Sequence, residues 1–421
     1  MPYNSALNGE FVFPLQLIKG LSRRMTLNLG TILILGLLSA LTPLAIDTYL
    51  PSIPAIALDI NTDISWVQLT ISIYLGVYAF SQLIFGPISD AYGRRKVLLF
   101  GMGVFLLGTL ICIFSNDFNT LMLGRAIQAF GGAGVAVANQ ALVKDGLSAD
   151  QFAKAMSYIM LVMSIAPLIA PILGGVILLV LDWHYIFVFL GLITLISAGL
   201  FYVKIPETLA LEKRHPLALG SALTNYYKLL KNPLVMGHIL TGAFHFTGMI
   251  TFITGSAYVY IEFYGVSEQM FGFLFALNMI AMMLATTINT RYIDRIGAKK
   301  VSEYALKAVL TCAIIMALLT VFEKPPLSIL ILPIIIFVGC LGILGGGLMA
   351  GAMEHAGNLN GSVTALAGTT RFAMGAVGGI LVSILHNESF VPMVGIMAAC
   401  GILSFICYQR FCKTAKPTAN A

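Results

Sequence analysis

Asp47, Arg125 and Arg371 are ionisable side chains inside long apolar stretches of this sequence, and they set what chemistry it could perform. Asp47 follows Leu41-Thr42-Pro43-Leu44-Ala45-Ile46, Arg125 opens Arg125-Ala126-Ile127-Gln128, and Arg371 sits in Thr369-Thr370-Arg371-Phe372. A charged, unpaired carboxylate in hydrocarbon costs several kcal/mol, so Asp47 gains by taking up a proton or finding a cation. It is the residue expected to couple proton movement, with Arg125 as its partner. At about 1.5 Å per residue, Asp47 lies roughly 7 Å and Arg125 about 5 Å beyond the middle of their segments, on the same side. Similar depths permit an ion pair. They also permit Asp47 at a helix end wetted by the mouth of a bundle, with Arg125 snorkelling along its stem. If the pair forms, protonated Asp47 releases Arg125 and lowers affinity for cargo, and the empty, deprotonated site favours rebinding.

Arg371 has two readings: it lines a cavity and selects against cations, or it anchors its helix near the cytoplasmic face. His238 and His245 lie on one helix face and could relay protons, although such histidines are more often held structurally. Tyr49, Phe246, Tyr258 and Phe372, with Met249 and Met279, would suit an adaptable apolar cavity, whereas most membrane aromatics pack or face lipid.

The segments holding these groups are too apolar for water. Of 421 residues, 58% are hydrophobic and 10% charged, against about 45–50% and about 25% in soluble domains. Spanning roughly 30 Å of hydrocarbon takes about 20 apolar residues, and twelve segments qualify: approximately 26–54, 65–87, 96–115, 118–142, 154–180, 184–204, 233–260, 270–291, 302–322, 327–352, 362–385 and 390–410. The expected architecture is an all-α membrane protein. Lys19, Arg23 and Arg24 before the first run mimic a signal peptide, but the run is too long for one and lacks a cleavage site. It reads as a retained helix behind a cytoplasmic tail, residues 1–25.

With the N-terminus inside, 21 of the 24 Lys and Arg fall at cytoplasmic positions, as the positive-inside bias requires. The net charge of +6 is thereby explained without nucleic acid. Both termini are then cytoplasmic, including a tail at 411–421. A polar stretch at 205–232 separates bundles at 26–204 and 233–410, six spans each, and nothing in it suggests a folded domain. The halves repeat: Asp90, Gly93, Arg95 and Lys96 match Asp294, Gly297, Lys299 and Lys300 at an offset of 204 residues, and Gly174-Gly175 matches Gly378-Gly379 at the same offset. Duplicated six-helix halves are a signature of transporters that rock one bundle against the other.

No nucleotide-binding phosphate loop, serine elbow or metal-binding helix is present, and the six cysteines read as small buried hydrophobes. The chain is therefore not expected to be an enzyme or to need a cofactor. Energy comes from an ion gradient or from the cargo's own.

Gly86-Pro87-Ile88-Ser89-Asp90-Ala91-Tyr92-Gly93-Arg94-Arg95-Lys96 resembles the loop 2–3 motif of the major facilitator superfamily, a conformational switch. Gly86 would allow close helix approach, Gly93 the tight turn, Asp90 would stabilise a helix N-terminus, and Arg94 would seek a carboxylate, for which the family suggests Asp145. Ala166-Pro167-Leu168-Ile169-Ala170-Pro171-Ile172-Leu173-Gly174-Gly175 resembles the antiporter motif of the same superfamily, with Ala166 and Ala170 at positions where glycine is usual. Arg125 resembles its span 4 arginine motif, with Ala129 in place of glycine. The end of span 1 through Pro54, with Trp183-His184-Tyr185-Ile186-Phe187, Pro206-Glu207-Thr208 and the Arg371 region, is similar to the Bcr/CflA branch of drug:proton antiporters. That resemblance covers about residues 25–410. It implies a monomeric, two-bundle inner-membrane protein of bacteria that exports diverse, moderately lipophilic drug-like molecules in exchange for protons. A dedicated metabolite exporter or an uptake symporter of the same fold is the alternative, and a membrane receptor or intramembrane enzyme is a more distant one.

Overall fold

The structure, a computed structural model, describes residues 28–413 apart from 148, 210, 211, 213, 215–218 and 358. The expected N-terminal tail and residues 414–421 lie outside the described residues. Fifteen α-helices are present among the described residues, and together they build twelve segments long and apolar enough to cross a membrane. The first bundle comprises α1 (Leu29–Asp47), α2 (Ile53–Asp59), α3 (Ile64–Tyr92), α4 (Arg94–Ile113), α5 (Phe118–Gly146), α6 (Ala149–Val180) and α7 (His184–Lys204). A connecting helix, α8 (Leu219–Leu230), leads to the second. This contains α9 (Pro233–Ala257), α10 (Glu268–Ile296), α11 (Ala298–Leu319), α12 (Leu327–Gly339), α13 (Leu341–Glu354), α14 (Asn360–Ile384) and α15 (Val391–Cys407).

Helix is the natural choice here because it satisfies every backbone donor and acceptor within its own segment. Starts are marked by side-chain caps: Asn28 accepts from Thr31 N at 2.8 Å, Asp117 from Thr120 N at 3.0 Å, and Ser267 from Met270 N at 3.3 Å, each filling one of the orphan donors of the first turn. Phe80, Leu195, Leu284 and Leu318 are exposed, a distribution that suits lipid and not water.

Two spans expected to be continuous are broken. The first stops at Asp47, passes through a 3₁₀ turn at Leu50–Ser52, and resumes as α2. Pro51 and Pro54 lack the amide hydrogens that would continue the ladder. The tenth breaks at Cys340, between α12 and α13. The 205–232 stretch, read as a linker without a folded domain, contains the single helix α8, whose Leu229 and Tyr226 pack with Val235, Val363 and Leu366 of the second bundle.

Within the first bundle α4 packs along α5, and α1 lies against α6; in the second, α9 packs on α14 and α15. The bundles meet chiefly through α3 against α14 and α6 against α10. Both contacts use the repeated glycines. A Cβ on Gly175 would meet Glu268 O at 3.0 Å, and one on Gly379 would collide with Ser72 Oγ and lie 3.1 Å from Thr254 Oγ1. Small residues at these positions let backbones approach closely.

Candidate functional site

Arg125 is fully buried in the first bundle. Its Nη1 donates to Ala45 O at 3.0 Å and to Gln128 Oε1 at 2.7 Å. Ala45 lies in the last turn of α1, where carbonyls lack intrahelical partners, so the break in the first span creates an acceptor for the guanidinium. Rings complete the cage: the guanidinium carbon lies 4.5 Å from the Tyr74 centroid, 4.8 Å from Tyr49 and 6.0 Å from Phe187, favourable cation–π placements. Gln128 is fixed in turn, its Nε2 donating to Thr109 Oγ1 at 2.9 Å. Tyr49 and Thr70 share a hydroxyl hydrogen bond of 3.0 Å. Arg125 Nε and Nη2 have no hydrogen-bond partner.

Asp47 is the last residue of α1, two positions beyond the carbonyl that holds Arg125. The residue is only 5% exposed, so it does not bathe in solvent. Among the described residues it forms no ion pair, and none of the ion pairs joins it to Arg125. The pairing that depth arithmetic permits is therefore absent: Arg125 is held by a backbone carbonyl, an amide and aromatic faces instead. Neighbouring depth along two helix axes does not fix where side chains point.

The basic turn between α3 and α4 is organised around Gly93, whose φ of +101° is left-handed and favours glycine. Gly297, its repeat counterpart, has φ +89°. Arg94 pairs with Asp90 and donates from Nε to Asp145 Oδ2 at 2.9 Å. Asp90, expected at a helix N-terminus, is thus occupied by a side chain one turn on. The carboxylate at the start of α4 is Glu207, which accepts from Arg94 N at 3.1 Å and Arg95 N at 3.2 Å and from its own Thr208 and Leu209 amides at 3.1 Å. Arg214 approaches it at 3.9 Å. Sequence reasoning used Glu207 only as a family marker; a lone acid after a proline carries no signal of a partner 113 residues away. Gly86 does not mediate close packing, since a Cβ there would meet nothing within 4 Å.

On α6, Ala170 is buried, and a Cβ on Gly174 would strike Thr48 O and lie 2.8 Å from Pro51 Cγ. Pro171 and Ile172 back onto Gly272 of α10. The resembled antiporter motif thus presses on the broken end of α1 and on the second bundle at once.

The aromatic and methionine residues expected in a cavity do not all converge. Phe372 touches Tyr78 at 4.8 Å and Phe246 at 5.3 Å between ring centroids, and Arg371 lies 5.5 Å over Phe246. Arg371, His238 and His245 line a recess between α9, α13 and α14. Tyr49 belongs instead to the Arg125 cage, and Met279 is buried in the core. Met249 packs against that core without lining the recess. Tyr258 lies at the opposite end of the molecule from the basic turns, against His386 at 4.4 Å. His245 Nε2 bonds Phe337 O and His238 Nδ1 bonds Leu234 O, each at 2.8 Å; no hydrogen bond joins the two rings.

All six cysteines are buried and free. Among the described residues no group of three or more His, Cys, Asp or Glu side chains could hold a metal ion.

The sequence matches the family model described as Major Facilitator Superfamily over residues 35–379. It is 36% identical over 379 residues to the "Bicyclomycin resistance protein homolog" of Haemophilus influenzae, covering 90% of this chain and 94% of that one. It is 27% identical over 387 residues to "Multidrug resistance protein D" of Escherichia coli, covering 90% and 95%. Among solved structures, a peptide transporter in complex with alafosfalin superposes with a TM-score of 0.75 at 12% identity, covering 92% of this chain and 96% of that one, a likeness of fold alone. With twelve spans in two bundles, repeated basic turns and an extended family match, the chain belongs to the major facilitator superfamily and is a multi-pass membrane transporter rather than an enzyme.

Proposed function

We propose that this protein is a proton-driven exporter of diverse, moderately lipophilic small molecules, working as a monomer in a bacterial inner membrane with both termini cytoplasmic. The observation that carries the reading is Asp47: a buried carboxyl, without an ion pair among the described residues, at the broken end of α1 beside the Arg125 cage. A buried acid with no counter-charge is most stable protonated. When the proton leaves, the charge needs a partner, and Arg125 Nε and Nη2 are buried donors without one. That edge of the guanidinium presents the fork a carboxylate accepts in bidentate fashion. Deprotonation would draw Asp47 to this fork and shift the rings of Tyr49 and Tyr74 that now lie against the guanidinium. Loading of Asp47 from the acidic side would reverse the change.

Export in place of uptake is supported by the α6 face, which packs against the end of α1, and by the resistance proteins among the relatives. The basic turns support the orientation. Proteoliposomes with an imposed pH gradient test the reading. Counter-movement of protons and several unrelated drugs is expected, lost in Asp47→Asn while the variant still inserts and folds. Co-directional movement of cargo and protons, or strict selectivity for one compound, would replace this reading with the symporter or dedicated-exporter alternative.

A further inference from the structure

The two arginines set inside apolar spans, buried Arg125 and half-buried Arg371, have opposite surroundings. Arg125 is enclosed by two oxygen acceptors and three rings. Arg371 forms no hydrogen bond and no ion pair among the described residues, and its one contact of this kind is the Phe246 ring at 5.5 Å. A guanidinium stays charged at any attainable pH, so an unneutralised one facing a cavity is costly unless the cavity is built for something that neutralises it.

The recess it faces is a narrow crevice, partly open to the surface. Ile239, Leu344, Leu348 and Met349 form its apolar walls, and Gly242 and Gly345 leave space in them. Two histidines share the lining, but neither supplies a fixed second charge. His245 must donate Nε2–H to the Phe337 carbonyl, and His238 must donate Nδ1–H to Leu234 O, which leaves each neutral ring with a lone pair on its other nitrogen. Among the described residues no carboxylate lines this recess. One permanent cation set in apolar walls matches one negative charge on a lipophilic body. A dianion would leave a charge unpaired, and a cation would be repelled.

We propose that this recess is a subsite for amphipathic organic monoanions, carboxylates or sulfonates, whose charged group docks on Arg371 while the apolar body lies along Ile239, Leu344 and Met349. The inference deepens the transport reading, on which it rests, by naming one class of cargo. It also separates the two arginines: Arg125 serves the proton site, and Arg371 serves the ligand.

The test uses the full chain in nanodiscs of zwitterionic lipid without a pH gradient, titrated calorimetrically with 1-naphthaleneacetate and its neutral amide. The two compounds share a ring system and differ in charge. A charge-assisted contact predicts at least tenfold tighter binding of the acid. Arg371→Gln should abolish that preference while changing the affinity for the amide by less than about threefold, and Arg371→Lys should keep part of it. Equal affinities in the wild-type protein, failure of both compounds to bind, or an acid preference that survives Arg371→Gln overturns the proposal. Should Arg371→Gln not fold, the wild-type comparison decides alone. Because binding is read without proton movement, its failure leaves the antiport test untouched. Loss of proton exchange with the acid preference intact would instead remove the antiport reading.

Discussion

Replacing Glu207 with alanine gives a sharp test of how the basic turn between α3 and α4 is held. Its carboxylate takes the amides of Arg94 and Arg95 at the start of α4 and closes its own turn through Thr208 and Leu209. Losing an N-terminal cap costs about 1 kcal/mol, and losing a negative charge at the positive end of a helix about 0.3–1 kcal/mol more. Arg214 at 3.9 Å is too distant to add much. A total near 2 kcal/mol corresponds to a fall of about 4–8 °C in the unfolding midpoint of a bundle this size. Six buried thiols make a maleimide dye a direct reporter of unfolding. Both proteins should be heated at one rate, since membrane proteins of this size unfold irreversibly. Glu207→Gln keeps the shape and loses the charge, so its midpoint should fall between the two. A Glu207→Ala midpoint within 1 °C of wild type, a margin well below the shift expected from the cap, would refute the view that this contact fastens the linker to α4.

Other predictions follow from the same geometry. Gly379→Leu would drive its side chain into Ser72 and Thr254, so transport should fall more than tenfold in whole-cell efflux assays with insertion preserved, a loss of about 1.4 kcal/mol or more. Gly86→Ala meets open space and should leave efflux and the dye midpoint unchanged. His386, outside the spans, is held below the ordinary histidine range by burial, with Glu388 and Asp63 pulling the other way. The unfolded chain then binds that proton more readily, so stability is full above the unfolded histidine's value and falls as pH drops through it. His386→Gln should flatten the acid side of the midpoint-versus-pH curve between about pH 7 and 5.

Much of the scaffold was legible because the bilayer imposes a strong length and composition rule. The spans from Ile64 to Ile113, for example, follow from apolar runs and the Asp90–Lys96 turn alone. The match of Gly93 and Gly297 was equally visible, and the two share a left-handed backbone. What remained hidden depends on side-chain direction and long-range pairing. The break after Asp47 needs both prolines beyond it, although hydropathy runs on unbroken. The Glu207 clamp and the Tyr49–Tyr74–Phe187 cage join residues from separate helices, which no local pattern records. The amphipathic α8 was obscured by its polar, charged setting.

Asp47 is the group proposed to load and unload the proton. Drug-induced proton release from the purified protein, read with a pH indicator dye in weakly buffered solution, measures this directly. The wild-type protein should release protons when a drug is added, and Asp47→Asn should release none while binding the drug with similar affinity. Undiminished release from Asp47→Asn would place the coupling elsewhere.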